Sequence, residues 1–551
     1  MHEEDAVFVS LNAPLRQGET LISRRAFPML AAMTLSLLVF PAAQAGNPAL
    51  IKINTNSATP LAPGFSGFNA AQPKNGVEYY DPKFLAAVAP LKPGWVRYPG
   101  GTVSMAFDWN PANPYGGHIN IDWMNSLITG NPPAVTGQPA SILALSQQLT
   151  QTKGGVSLSD FADFVHALGA SAIICFNVFT DNNPDSATQM ALAAQSLGLN
   201  VLAWELGNEP YLYPVVYPTP GSPQPNPALY ASDVYSPYYL DLTAGAPSAT
   251  VALAYAGLYT GASVPTSNWD PGLAAYTPHY WNAATTHIYP VTQVQSTQNL
   301  MLALNGILAY GSSEYITSYL VPFVGPDTPI YVTEFNAGLP PNTKFLGYLY
   351  NGIFLAEYVA RLSAVPNVKA VGVHALYTDN GDYHGLVQSV DDYEAYLLGQ
   401  YALNNEFSTD TATDPNTPYQ FYMSAPGEAM AVANQAINSS AATWRTVVTG
   451  GATVPISGFD GQPIPAIFAQ AYQANDGSHY LLVFNKSGQG QNATIVLNGA
   501  KVTSPLNLTY VWDSSPTAMN TGTVPYAVRI QTGTSANPVF LHAYSVTCIQ
   551  W

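Results

Sequence analysis

The chain has 551 residues, too many for one ordinary hydrophobic core and enough for a large barrel with an accessory domain. Its 33 acidic residues against 16 Lys and Arg give a formal charge of −17, which makes nucleic acid and anionic membrane surfaces poor partners. Charged residues make up only 9% of the chain while aromatics reach 12% with 35 Tyr, a composition suited to uncharged, hydroxyl-rich ligands.

The first segment reads as an address label. A polar stretch over Met1–Ile22, the pair Arg24-Arg25, the apolar run Met29–Phe40 and the small residues Ala43-Gln44-Ala45 form a charged region, a hydrophobic region and a cleavage site. The paired arginines resemble a twin-arginine export signal over 1–45. The expectation is an exported protein, periplasmic or extracellular, with no stable membrane anchor once that signal is cleaved.

Beyond it, strand and helix signals alternate. Asp81-Pro82 starts a helix with an N-cap and a proline at its first position. Trp95–Tyr98 reads as a strand closed by Pro99-Gly100-Gly101, and a long loop rich in Asn, Pro and Gly runs from Met105 to about Ile142. Ser159 is the expected cap of a helix that stops at Gly169, and a further helix covers Ser186–Leu197. Counting Phe65–Phe68, Val96–Tyr98, Ala172–Phe179, Val201–Leu206, Thr250–Tyr255, Thr285–Tyr289, Ile330–Thr333 and Val371–Leu376 gives eight strands with helical patterns between them. Eight is the number of a (β/α)8 TIM barrel, expected over 62–400. An open doubly wound sheet fits less well, because no Gly-rich phosphate fingerprint opens any helix.

After about Gln400 short β runs such as Ala466–Tyr472, Tyr480–Asn485 and Leu508–Trp512 are separated by turn signals, which predicts a C-terminal antiparallel β-sandwich over 401–551. Cys175 and Cys548 sit in apolar runs and are expected to pack rather than pair, and no Cys/His cluster has zinc spacing. Neither cofactor nor metal is expected.

Two stretches carry the chemistry. VLAWELGNEPY at Val201–Tyr211 is a buried parallel strand that breaks at Gly207 and delivers Asn208 and Glu209 to its carboxyl end, where active sites of such folds collect. PIYVTEFNAGL at Pro329–Leu339 ends in a second carboxylate, Glu334. These are the fourth and seventh strands, so their ends converge across the barrel mouth. Two carboxylates facing one another across a sugar, one protonated and one ionised, are the apparatus of glycoside hydrolysis. Glu205 lies on the same strand face as Glu209, points into the barrel and needs a partner there.

AWELGNEP and YVTEFNAG resemble the acid/base and nucleophile motifs of the clan A retaining glycosidases, and the first is most similar to glycoside hydrolase family 79, the heparanase and β-glucuronidase family. The resemblance implies a barrel followed by a β-sandwich that an N-terminal strand, 46–61, completes. It implies Glu209 as acid/base, Glu334 as nucleophile, Asn208 on the sugar 2-hydroxyl, and His287 and Tyr289 as the His-x-Tyr pair whose tyrosine holds the nucleophile ionised. Arg97, near the end of the second strand, serves either Glu334 or Glu205. The expected substrate is a carbohydrate, a terminal β-glycoside and by family a β-glucuronide, attacked in exo fashion, since the chain's charge disfavours a long polyanion. A β-xylosidase or arabinofuranosidase of the same clan, or a non-catalytic carbohydrate-binding protein on the same scaffold, is the alternative. Trp109, Trp123, Tyr211 and Tyr213 are candidate sugar platforms, and the loop 105–142 and the insert 211–238 are expected to wall the pocket.

Overall fold

A computed structural model describes residues 48–70, 79, 81–101, 104, 107–108, 118–119, 157–178, 186–212, 217–257, 268–378, 382–389, 421–458, 461–522 and 524–551. The export segment 1–45, most of the loop 105–142, Trp109, Trp123 and Tyr213 lie outside the described residues. Among the described residues no helix is long and apolar enough to cross a membrane.

All eight expected strands form one closed barrel. In order they are Ser66–Asn69, Trp95–Tyr98, Ser171–Phe176, Val201–Leu206, Val251–Ala254, Ala283–Ile288, Ile330–Phe335 and Val368–His374. Each pairs in parallel with its sequence neighbours, and the last closes on the first through Val371↔Ser66 to His374↔Asn69. The barrel interior is a packed layer of Trp95, Ile173, Ala203, Ala252, Ala283, Tyr331 and Ala370. The Trp95 indole is the largest side chain in it, and the flanking strands make room: a Cβ at Gly67 or at Gly372 would fall 2.3 Å from the ring.

Helix signals land close to where the sequence puts them. Asp81 caps Pro82–Val88, its carboxylate accepting from the backbone N–H of Lys83 and Phe84. The helix Leu158–Leu168 ends at Gly169 in the left-handed region as expected, but its cap is Ser157, not Ser159. Ser157 forms a reciprocal capping box with Asp160, a second hydrogen bond that Ser159 has no partner to form.

The C-terminal domain is a ten-stranded curled sheet. It is antiparallel except where the N-terminal strand Ala49–Pro60 inserts, parallel to Gln491–Leu497 and antiparallel to Ser440–Thr449. Period-2 alternation gives it two apolar faces: Leu482, Phe484, Val546 and Cys548 join the barrel's core, while Leu481, Val483, Ile495 and Ile549 enclose a second one. Cys175 and Cys548 are both buried free thiols.

The C-terminal region also holds a helix that its β pattern did not announce. Ala425–Ile437, in the region read as β, is a helix capped by Ser424 with Pro426 in its first turn, buried along almost its whole length. It packs on the helix Leu349–Leu362.

The junction of barrel and sheet also holds a buried ion cluster. Lys486 Nζ donates to Glu357 Oε2 at 2.7 Å, and Arg361 Nε and Nη2 donate to Glu357 Oε1 at 3.0 and 2.7 Å. Lys486 and Glu357 are both buried, and burial holds the ammonium below its ordinary pKa with Glu357 opposing that shift. Lys486→Met therefore leaves a buried carboxylate with one cation instead of two. The expected cost in urea unfolding is about 3 kcal/mol, the lower end for breaking a buried pair because Arg361 remains. Adding Glu357→Leu to Lys486→Met should recover part of that loss.

Candidate active site

Sequence period places the site one step above the barrel's packed layer. Two residues beyond Trp95, Ala203 and Tyr331, on the same inward face, come Arg97, Glu205 and Thr333. Arg97 is fully buried and its three nitrogens divide among three partners. Nε donates to Glu205 Oε2 at 2.5 Å, Nη1 to Glu334 Oε1 at 2.6 Å and Nη2 to Asn208 Oδ1 at 3.0 Å. Thr333 Oγ1 donates to the other oxygen of Glu205 at 2.6 Å. The choice left open by the sequence, whether Arg97 serves Glu334 or Glu205, resolves as both. A planar fork makes that possible, and a lysine at this position has no equivalent.

Glu334 reaches the mouth through an irregularity. The pairing of Ala283–Ile288 with Ile330–Phe335 shifts between Thr286 and His287, passing over Thr333. Thr333 and Glu334 therefore both turn inward, as extra residues at strand ends do when they re-aim a side chain. Glu334 Oε1 then accepts from Arg97 and, at 3.2 Å, from Asn69 Nδ2, and Oε2 accepts from Tyr289 Oη at 2.7 Å. The loop Pro99-Gly100-Gly101 lies against this carboxylate: a Cβ at Gly101 would stand 2.7 Å from Oε1, so only glycine leaves that oxygen in place. Burial alone raises the Glu334 pKa. The imidazoles of His287 and His374 when protonated, the Arg97 guanidinium and the Tyr289 hydrogen bond together more than reverse it, holding the carboxyl well below its usual range.

Glu209 arrives by a strained turn. After Gly207 at φ 94°, Glu209 itself adopts φ 46°, a left-handed conformation uncommon for a residue with a Cβ and found where a site fixes a side chain. Its Oε1 accepts from Tyr211 Oη at 3.2 Å and lies 2.9 Å from His287 Nδ1. Two donors on Oε1 leave Oε2 as the oxygen that would carry a transferable proton. His287 Nδ1 is also 3.6 Å from Glu334 Oε2, so the imidazole bridges the two acids. Burial disfavours its charged form, but Glu334 and Glu209 outweigh that and raise its pKa.

One oxygen of each glutamate and a ring nitrogen of His287 lie within 4.8 Å of one another. That spacing would also admit a cation, but Arg97 already stands against Glu334 with its charge. The arrangement suits two acids working across one atom, one hydrogen-bonded by a cation and a phenol, the other by an imidazole and a phenol.

The six residues expected to do chemistry or hold the sugar, Arg97, Asn208, Glu209, His287, Tyr289 and Glu334, meet at this mouth. Tyr211 is not a sugar platform: it is buried, edge-on to Trp269 at 6.1 Å, and its hydroxyl is committed to Glu209. The sequence reading missed Asn69, Thr333 and His374. Asn69 and His374 are the last residues of the first and eighth strands, so a search of every strand end for polar side chains finds them.

No family model matches the sequence, and no curated protein does. Solved structures match in fold. The α-L-arabinofuranosidase of Thermotoga maritima superposes with a TM-score of 0.60 at 14% identity, covering 91% of this chain and 99% of that one. The family 51 α-L-arabinofuranosidase AbfB of Bifidobacterium longum gives 0.60 at 14%, over 92% and 100%. A Paenibacillus polymyxa xyloglucanase of glycoside hydrolase family 44 gives 0.51 at 13%, over 91% and 99%. These structures belong to families 51 and 44 where their family is stated, and none speaks specifically for family 79. At such identities the likeness is one of fold, a barrel followed by a β domain over nearly the whole length of both chains.

Proposed function

We propose that this protein is a retaining glycoside hydrolase acting on a terminal, uncharged sugar, with Glu334 as nucleophile and Glu209 as acid/base. The observation that carries the reading is that one oxygen of each carboxylate and a ring nitrogen of His287 lie within 4.8 Å of one another, so both acids address one sugar-sized space; the anomer of the product, read below, separates the retaining from the inverting course. Retaining enzymes hold their carboxyls at about 5–5.5 Å and inverting ones at about 6.5–9.5 Å, leaving room for a water.

In the first step Glu334, kept ionised by Arg97 and Tyr289, attacks the anomeric carbon while Glu209 protonates the departing oxygen. In the second, Glu209 takes a proton from water, which displaces the carboxylate. Asn208 gives its carbonyl to Arg97, which turns its amide N–H groups toward the sugar, where a hydrogen bond to a ring hydroxyl strengthens as positive charge develops.

An arabinofuranoside is the first substrate to try, ahead of the β-glucuronide suggested by the motif resemblance. The fold relatives named above include arabinofuranosidases, and Arg97, the one Arg or Lys paired with the acids among the described residues, is fully engaged within the protein and has no fork to offer a uronate. A panel of aryl α-L-arabinofuranoside, β-xyloside, β-glucoside and β-glucuronide tests this, with the product anomer followed by proton NMR. Turnover of a neutral glycoside with retention is the expected result. Preference for the glucuronide overturns the substrate assignment, and an inverted product overturns the mechanism.

A further inference from the structure

The eighth strand ends on a histidine that the mechanism above does not use. His374 Nδ1 lies 2.8 Å from Asn69 Nδ2, and that same amide nitrogen lies 3.2 Å from Glu334 Oε1. An amide nitrogen donates and never accepts, and an ionised carboxylate accepts and never donates. While Glu334 is ionised, turning the Asn69 amide over would set two oxygens against each other. The NH2 group must therefore face both neighbours, giving one hydrogen to Glu334 and the other to His374. His374 Nδ1 then has no proton of its own. The ring is neutral and carries its hydrogen on Nε2.

The surroundings agree with that state. His374 Nδ1 is 4.0 Å from Glu334 Oε2, beyond hydrogen-bond reach. The ring meets Tyr289 edge-on at 6.4 Å and His384 at 5.7 Å, and Asp382 sits 3.2 Å from His384 Nδ1. The side chain is 28% exposed, in contrast to the buried acid beside it.

Resting on the glycosidase reading above, we propose that His374 is a substrate-orienting residue. It is locked by Asn69 as the neutral Nε2–H tautomer, and it donates that hydrogen to a hydroxyl of the sugar bound over Glu334. A neutral ring supplies a hydrogen bond but no counter-charge, so His374 gives a uronate none of the compensation that a cation would. Asn69 is the positioning residue, passing the charge state of Glu334 to the tautomer of His374.

Nitrogen-15 NMR of the histidine-labelled protein at neutral pH reads the tautomer without any substrate. The expected spectrum has an unprotonated Nδ1 and a protonated Nε2 for His374, assigned by the loss of its signals in His374→Gln. Asn69→Asp, which puts an acceptor beside Nδ1, should protonate that nitrogen. An imidazolium or an Nδ1–H ring in the wild type overturns the proposal. On the best glycoside of the panel, His374→Phe should lower kcat/KM by about tenfold, the loss of roughly one neutral hydrogen bond. His374→Gln, which keeps an N–H donor, should recover most of that loss. An unchanged kcat/KM in His374→Phe overturns the contact with sugar. If the wild type turns over no glycoside, the glycosidase reading fails, while the NMR experiment still decides the tautomer.

Discussion

Glu334→Ala is expected to lower turnover of an aryl arabinofuranoside by about 10⁴-fold or more, because it removes the group that forms the covalent intermediate. Glu209→Ala should lose less, about 10²–10⁴-fold, and least on substrates whose leaving group needs no proton. Azide separates the two roles. Added to Glu334→Ala, it takes the place of the missing carboxylate and should give a glycosyl azide of the opposite anomeric configuration to the substrate. Added to Glu209→Ala, it attacks the glycosyl–enzyme and should give the retained configuration. The reverse pattern exchanges the two assignments, and full activity in Glu334→Ala removes the carboxylate pair from the chemistry altogether.

The second large effect belongs to Arg97. Arg97→Met leaves Glu205 and Glu334 as buried carboxylates with no guanidinium between them, and breaking a buried pair in this way costs about 3–5 kcal/mol. Adding Glu205→Met should recover part of it, since an apolar pair avoids the stranded charge. Arg97→Lys should fold better yet turn over slowly, because a point charge cannot serve Glu205, Glu334 and Asn208 together. The pH profile carries the sign. Folding lowers the Glu334 pKa below its ordinary value near 4.5, so the stability it contributes is fully present above that value and is lost as pH falls toward the folded-state pKa. Weakening the Arg97 contact raises that pKa, so the acid limb of kcat/KM in Arg97→Lys should move to higher pH. A profile that stays in place, with Arg97→Met losing under 1 kcal/mol in urea, would show that the guanidinium is not what keeps the acid ionised.

The parts of this molecule legible in the sequence are those that follow from local pattern. Val201–Leu206 is apolar on both faces and ends at a glycine, which specifies a buried parallel strand and marks Glu209. Ile330–Phe335 is a β-branched strand that again runs out in a carboxylate, which marks Glu334. What the pattern could not supply was pairing between distant elements. Nothing near Thr333 announces the register shift that turns Glu334 inward, since a shift belongs to two strands at once. Asn69 and His374 are ordinary polar residues until the barrel closes and sets them side by side. The helix Ala425–Ile437 carries Ser424 and Pro426, the same cap-and-proline signal as Asp81-Pro82, but it lies among Pro-, Thr- and Asn-rich segments that read as β. Tyr211 had the right residue type for stacking on a sugar and the wrong exposure, and burial is a property of the closed structure.

The strand Ala49–Pro60 has a temporal consequence. It leaves the ribosome ahead of both its partners, Ser440–Thr449 and Gln491–Leu497, which come almost four hundred residues later or more. On a ribosome it waits with both edges unsatisfied while the barrel between can already close, and loop-closure entropy makes such a late marriage slow. Its bare edges are the feature most exposed to wrong partners, and a chaperone that shields early-born β segments would act on this stretch before any other part of the C-terminal sheet exists.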